Sequence, residues 1–349
     1  MRIVMISPHA TKIKGGMSTV VENYIKYNKR DDLEIIYIYS TEGGSCLNKI
    51  VSAIKASISL LKTLMFGEID IVHIHIASGI SFYRKSIFCL ISRMFKKKYI
   101  LHLHGGGFDK FYSKQKDIIK RYINFIFDKS SMILVLSDSW IEIVKKYSDT
   151  QVKVLKNAIK IPKYNNYSDN KKNILMLGRL TAKKGIYDLL DVAELVLRKD
   201  SEVKFLVAGD GELDKVNKII QEKAIKENFE LLGWIDEKTR EEILKETMIY
   251  ILPSYYEAMP MSILEAMSYG IPVISTKVGS IPEVINEESN GYLLEPGDIN
   301  GFARGILNIV SNSELRNNIS KNNFKFVNKE FNIERHIDSL YDIYRNLIK

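Results

Sequence analysis

Short apolar runs rich in β-branched residues alternate with amphipathic helical stretches along almost the whole chain, and this alternation restricts the fold more than any other feature. Runs that read as strands lie at 2–7, 34–39, 71–76, 99–104, 132–136 and 153–155. Helical patterns occupy 18–27, 49–66, 81–95 and 115–128 between them. The segment NAIKIPKYNNYSDNKKN (157–173) breaks the pattern, being polar, Asn-rich and without apolar periodicity. Alternation resumes at 173–177, 204–208, 229–232, 249–253 and 272–275. Two βα arrays joined by one polar stretch predict an α/β protein of two doubly wound domains with parallel sheets. The boundaries fall at 1–160 for the first domain, 161–172 for a linker, 173–332 for the second domain and 333–349 for a closing helix. Ligands of such sheets bind beyond the carboxyl ends of the strands, so the expected site is an inter-domain cleft.

Charge separates the halves. Residues 1–160 hold 26 Lys/Arg against 13 Asp/Glu, a net +13, whereas 161–349 hold 25 against 29, a net −4. The excess predicts an anionic partner for the first half: nucleic acid, anionic lipid or a phosphorylated substrate. With 46% hydrophobic and 27% charged residues, the composition excludes a disordered or collagen-like chain. The two cysteines, Cys46 and Cys89, form no metal-spaced or CxxC pattern, which favours a reducing compartment and rules out a disulfide scaffold. The first residues, MRIVMISPHA, read as a strand and not as a signal peptide, and no run approaches the roughly 18 apolar residues of a membrane span.

Several strand ends carry residues with chemistry. Glu257 and Glu265 bracket EAMPMSILE after the strand-like YILPS, with Pro260 in the first helical turn and Gly270 past the helix end. The amides of Met259, Pro260's neighbour Met261 and Ser262 fall at that helix start, where backbone N–H groups and the helix dipole favour phosphate. Two carboxylates beside an anion site suit a nucleotide-linked sugar; read blandly, the pair is a loop residue and an exposed helix position. GRLTAKKG (178–185) places Arg179 and Lys184 in a strand-end loop, as expected for diphosphate neutralisation or for a solvated basic loop. Gly15 and Gly16, after the first strand, permit close backbone approach to phosphate, or simply a turn. AGDGEL (208–213), with Gly211, and LLGWID (231–236), with Trp234 and Ile235, are strand-end turns able to line a nucleobase pocket.

Four of the six histidines form two HxH pairs, His73/His75 and His102/His104, each pair on one face of a strand. Side by side they would offer four metal ligands, but no acidic ligands accompany them, and hydrogen-bonded core histidines are the alternative. His104 differs because it ends its strand before Gly105–Gly107 and so opens toward the expected site.

Taken together, GRLTAKKG, VAGDGEL, LLGWID, LPSYYEAMPMSILEAMSYGIPVIST, KVGSIPEVI and NGYLLEPGD resemble, in that order, the motifs of family 4 glycosyltransferases. The Gly15–Gly16 loop, VHIH, LHLHG and KNAI extend the resemblance toward the N-terminus. It implies a GT-B fold, two Rossmann-like domains facing one cleft, with the last helix crossing back to the first domain. It also implies a nucleotide diphosphate sugar donor, retention of anomeric configuration and no metal or other cofactor. By the same resemblance Arg179 and Lys184 bind the diphosphate, Glu265 the ribose hydroxyls and Glu257 the donor sugar. His104 lies near the reacting sugar and Gly16 in the loop that closes on the diphosphate. Ala258 and MPMS stand where many members have Gly and a GFG-type sequence, and Ser280 replaces the second Gly of a GG pair.

The expected reaction transfers a hexose or N-acetylhexosamine from a UDP- or GDP-sugar to a polyprenyl-diphosphate-linked oligosaccharide of a bacterial surface polysaccharide. The basic segments 81–98 and 110–127 mix Phe82, Ile87, Leu90, Ile91, Met94 and Phe95 with Arg84, Lys85, Arg93 and Lys96 to Lys98, which suits peripheral binding to an anionic cytoplasmic leaflet. Ordinary sheet-packing stripes are the alternative. Other classes compatible with the fold are an inverting transferase using Asp109 or His104 as base, a sugar-nucleotide epimerase, and a non-catalytic sugar-nucleotide-binding accessory protein. A nucleic-acid-binding module would leave the diphosphate residues unexplained, and a nicotinamide dehydrogenase lacks its GxGxxG.

Overall fold

A computed structural model describes residues 1–13, 15–168, 172–287 and 289–349. The chain divides into two compact units, Met1–Lys160 with Ile333–Lys349, and Ile161–Asn332. Each is built on one six-stranded parallel sheet.

The first unit contains β1 (Arg2–Pro8), β2 (Glu34–Thr41), β3 (Ile71–Ile76), β4 (Lys98–Leu103), β5 (Met132–Val135) and β6 (Val152–Val154), in the order β2-β1-β3-β4-β5-β6. The six positions of β3, IVHIHI, are all buried, as expected for a strand covered on both faces. Right-handed crossovers put helix Gly16–Tyr27 on one face and helices Cys46–Phe66, Ile80–Met94 and Asp117–Asp128 on the other. In agreement, Cys46–Phe66 packs on Ile80–Met94, which in turn packs on Asp117–Asp128. Phe82, Phe88 and Phe127 fill the core between this helical layer and the sheet.

The closing helix Ile333–Ile348 packs on Gly16–Tyr27 in this first unit. The Tyr344 hydroxyl lies 2.6 Å from His73 Nδ1 in β3, and Tyr24's hydroxyl lies 2.6 Å from His336 Nε2. Arg30 bonds Asp338 at 2.9 Å and covers the Tyr341 ring.

The second unit contains β7 (Asn173–Leu177), β8 (Lys204–Ala208), β9 (Phe229–Gly233), β10 (Ile249–Leu252), β11 (Val273–Thr276) and β12 (Gly291–Leu294), in the order β12-β11-β10-β7-β8-β9. Its strand order reverses between β7 and β10, so the loops leaving those two neighbouring strands diverge to opposite sides of the sheet. The short strand β12 had no place in the sequence pattern, because four residues between glycine-rich turns carry too little periodicity.

Two local readings change. Residues 161–168 of the expected linker belong to the second unit. There Asn165 Nδ2 donates to Ser320 Oγ at 2.9 Å and the Tyr167 hydroxyl to the Met248 carbonyl at 3.1 Å; residues 169–171 lie outside the described residues. Within 81–98, Phe82 and Lys85 are fully buried, so neither belongs to a solvent-facing surface.

Replacing Tyr344 by Phe leaves a buried His73 nitrogen without its partner. We expect urea denaturation of Tyr344→Phe to show a loss of about 1–2 kcal/mol relative to the parent protein; an unchanged midpoint would remove this bond from the account of the helix.

Candidate active site

The loops leaving β7 and β10 are joined by three contacts. Gly185 adopts φ 73°, and a Cβ there would sit 2.0 Å from the Pro253 carbonyl oxygen, so only glycine permits the approach. Beside it the Tyr255 amide donates to the Lys183 carbonyl at 2.9 Å. The third contact joins side chains: Lys184 Nζ donates to Glu257 Oε1 at 2.5 Å, and the Ser254 hydroxyl donates to the same oxygen at 2.7 Å. Ser254 is itself positioned by Thr276 of β11, whose hydroxyl donates to the Ser254 carbonyl at 2.6 Å. Glu257 is 8% exposed. Both bonds converge on Oε1.

Arg179 leaves β7 after Gly178 and remains largely exposed, with Nε 3.2 Å from Asp210 Oδ1. The loops after β7, β8 and β9 are tied by backbone bonds. The Leu180 amide donates to the Asp210 carbonyl at 2.7 Å, Glu212 to Leu180 at 3.0 Å and Gly209 to Gly233 at 2.7 Å. Gly211 pairs with Leu180 as an isolated parallel bridge. Trp234 projects exposed just past β9, and Ile235 is half-buried.

Helix Met261–Ser268 starts after Pro260, which occupies the capping position one residue earlier than the sequence pattern placed it. No side chain caps this end, so its first amides are left for solvent or ligand. Met259 and Met261 have buried side chains, which restricts any ligand contact there to the backbone, and Ser262 is half-buried. Glu265, one turn inside the helix, faces Arg240 Nε at 3.5 Å. Burial holds its carboxyl above the usual carboxylate range, Arg240 opposing and Glu237 reinforcing the shift. Ser280, in place of a second glycine, is accommodated at φ −95°, whereas Gly279 at φ 57° brings its backbone within van der Waals range of Glu257 and Ala258. Neither Ser254, Thr276, Asp210, Arg240 nor Gly279 stood out in the sequence; each enters through a neighbouring strand or helix.

In the first unit Gly15 precedes helix Gly16–Tyr27 at φ 150°, with open space where a Cβ would lie. His104 follows β4, and its Nε2 lies 2.7 Å from His75 Nδ1. His73 Nε2 lies 3.2 Å from His102 Nδ1. Ring nitrogens of His73, His75 and His102 fall within 4.8 Å of one another, but these bonds and the Tyr344 hydroxyl occupy most of them; the Nε2 atoms of His75 and His102 alone lack partners. The arrangement is a hydrogen-bonded ladder of neutral imidazoles. Burial drives His73 down to about 3 and His336 to about 4, and pushes His75, His102 and His104 well below the usual histidine range, with Lys85 adding to the shift at His104. Lys85 itself, 0% exposed, places Nζ 3.4 Å from Met17 Sδ and has no carboxylate partner among the described residues. Burial, with Arg84 reinforcing, lowers it to about 7. Asp109 lies in the first turn of the short helix Phe108–Ser113.

Residues 157–326 match the family model described as glycosyl transferases group 1. The chain is 27% identical over 327 residues to the UDP-Gal:alpha-D-GlcNAc-diphosphoundecaprenol alpha-1,3-galactosyltransferase of Escherichia coli, covering 87% of this chain and 82% of that protein. It is 29% identical over 317 residues to an uncharacterized 41.2 kDa protein in the cps region of Klebsiella pneumoniae, covering 83% of this chain and 86% of that one. Among solved structures, the sucrose-phosphate synthase of Thermosynechococcus elongatus superimposes with a TM-score of 0.81 at 17% identity, over 99% of this chain and 98% of that chain.

Two outcomes follow from this geometry. Lys184→Met strands a buried Glu257 and lowers the stability of the second unit by roughly 2 kcal/mol or more, whereas Lys184→Met with Glu257→Gln recovers most of the loss; thermal melts of the two variants check this. In the first unit His73, His75, His102, His104 and His336 bind protons more readily when unfolded. Their contribution to stability is therefore full above about pH 6.5 and falls on acidification toward pH 4, by up to about 1.4 kcal/mol per pH unit for each histidine. A melting temperature flat between pH 7 and 4.5 would contradict the buried neutral ladder.

Proposed function

We propose that the chain is a group 1 glycosyltransferase of the GT-B fold and that it transfers a hexose or N-acetylhexosamine from a UDP- or GDP-sugar to a polyprenyl-diphosphate-linked oligosaccharide, with retention of anomeric configuration. The observation that carries this reading is the Lys184–Glu257 bond where the strand order reverses, with Arg179 leaving one of the two strands and an uncapped helix start at Met261 following Glu257 in sequence. Cations and first-turn amides suit the diphosphate, Glu257 Oε2 a sugar hydroxyl, and Glu265 the ribose hydroxyls. The bond between the sugar's anomeric carbon and the diphosphate oxygen breaks as the acceptor oxygen bonds to that carbon, and the acceptor's proton ends on the leaving diphosphate. Arg179 and Lys184 offset the negative charge that develops there, so the reaction needs neither a metal nor another cofactor from this chain's residues. Gly211, Trp234 and Ile235, in the same unit as these groups, line the donor.

The name of the Escherichia coli relative gives a UDP-sugar donor and a diphosphoundecaprenol-linked acceptor, and the Klebsiella relative lies in a cps region, which supports surface-polysaccharide synthesis on the cytoplasmic side of a membrane. No helix among the described residues is long and apolar enough to cross a membrane.

The test is a thermal-shift and turnover panel of UDP-, GDP- and ADP-sugars. One nucleotide series should raise the melting temperature, and Arg179→Ala and Glu265→Ala should each weaken that donor by tenfold or more. NMR of the product should show the anomeric configuration of the donor. A protein that none of the sugar nucleotides stabilises, and that turns over none, overturns the reading.

A further inference from the structure

Helix Cys46–Phe66 carries two apolar stripes on opposite sides. Ala53, Ala56, Leu60 and Leu64 recur at helical spacing and are buried beneath the helix. On the other side Leu47, Ile50, Val51, Ile54, Ile58 and Met65 recur with the same period and are exposed, Leu47 at 74%, followed by Phe66 at 83% where Gly67 ends the helix. A helix that only covers a sheet needs one stripe. The second runs most of a helix about 30 Å long and is left exposed by the described residues of its unit. Helix Ile80–Met94, beside it in the same layer, exposes Ile80, Ile87, Leu90 and Met94, and Asp117–Asp128 adds Ile118 and Phe125. An apolar surface of this extent marks an interaction site.

Charge identifies the occupant. Lys49, Lys55 and Lys62 are exposed along Cys46–Phe66, which contains no Asp or Glu, and the chain has no acidic residue between Asp70 and Asp109. Arg93 and Lys96 are exposed at the end of the neighbouring helix. The unit as a whole holds 29 Lys/Arg against 16 Asp/Glu. A second copy of this chain would set two such cationic faces against each other. An anionic bilayer offers acyl chains to the apolar stripe and phosphates to the lysines that flank it.

We propose that the outward stripe of helix Cys46–Phe66, with the exposed apolar residues of Ile80–Met94, is the face on which this protein lies in the headgroup region of an anionic bilayer. The helix runs parallel to the surface, its apolar side chains at the acyl boundary and Lys55 and Lys62 at the headgroups. This extends the docking face from 81–98, which the sequence alone singled out together with 110–127, onto helix Cys46–Phe66. The inference deepens the reading of a lipid-linked acceptor and is tested apart from it.

The experiment is flotation of the full chain with phosphatidylcholine vesicles and with vesicles containing about a third phosphatidylglycerol. The protein should float with the anionic vesicles and at least several-fold less with the neutral ones, and added salt should weaken the binding. Ile50→Ser/Ile54→Ser/Ile58→Ser and, separately, Lys55→Glu/Lys62→Glu should each lower the bound fraction tenfold or more. Because these side chains are exposed, both variants should keep the parent melting temperature and the parent rate of donor-sugar hydrolysis in solution. Variants that float like the parent, or a parent that floats with neither vesicle, overturn the proposal. So does a parent that elutes as a dimer when the triple-serine variant elutes as a monomer, since the face then serves self-association. Loss of donor hydrolysis in every protein with flotation intact would remove the proposed reaction and leave the docking face standing.

Discussion

The contact between Gly185 and the Pro253 carbonyl is the constraint on which the second unit's site depends. The strand order reverses between β7 and β10, so their outgoing loops would part if nothing joined them. A residue without a side chain lets one backbone sit against the other, and the Tyr255 amide fixes the register of the two loops. Lys184 and Glu257, each one residue or a few from that contact, are then brought within one short bond. Their placement is a consequence of backbone packing, and the ion pair adds to it only because Ser254 supplies the second bond on the same oxygen.

The first unit solves a different problem. Its two central strands bring His73, His75 and His102 into one buried row, with His104 just past β4, and burying them charged would be costly. They are kept neutral and bonded to one another and to Tyr344, so the polar groups that could have disrupted the core instead fasten the last helix of the chain to β3. Lys85 is a cation drawn into an interior with no carboxylate to meet it among the described residues, and its lowered proton affinity is the response.

Much of this was legible before any coordinates. The period-2 and period-3.6 alternation marked eleven of the twelve strands to within a residue or two, because parallel strands buried on both faces are dense in Val, Ile and Leu. Arg179, Lys184, Glu257 and Glu265 could be singled out because they follow strands or enter a helix next to glycine and proline. What stayed hidden depends on adjacency across the sheet. Asp210 meets Arg179 through the pairing of β7 with β8, and Arg240 meets Glu265 from a separate helix. Lys85 read as one cation in a basic surface run, since no local pattern distinguishes the residue of a helix that turns inward. The exposed stripe of Cys46–Phe66 was equally silent, as apolar periodicity does not say which of two stripes finds the core.

The two cations of the proposed donor site are not equivalent, and their exposure decides how each can act. Arg179 and Asp210 are both open to water, so their pair contributes little and is readily exchanged for another anion. Lys184 shares a largely enclosed carboxylate, and moving it away would leave Glu257 unpaired at a cost of several times that of an exposed pair. In the proposed reaction the guanidinium is therefore the group that swings onto the diphosphate, its fork matching two oxygens at once. The lysine stays against Glu257 and reaches the same diphosphate as a fixed positive charge. Holding it there also fixes Glu257 through Oε1, so one bond positions both the charge and the carboxylate that the proposed reaction uses. A unit with a net charge of −4 can bind a dianion on these terms, because screening over roughly 8 Å leaves the local pair, and not the sum over the domain, to set the field at the site.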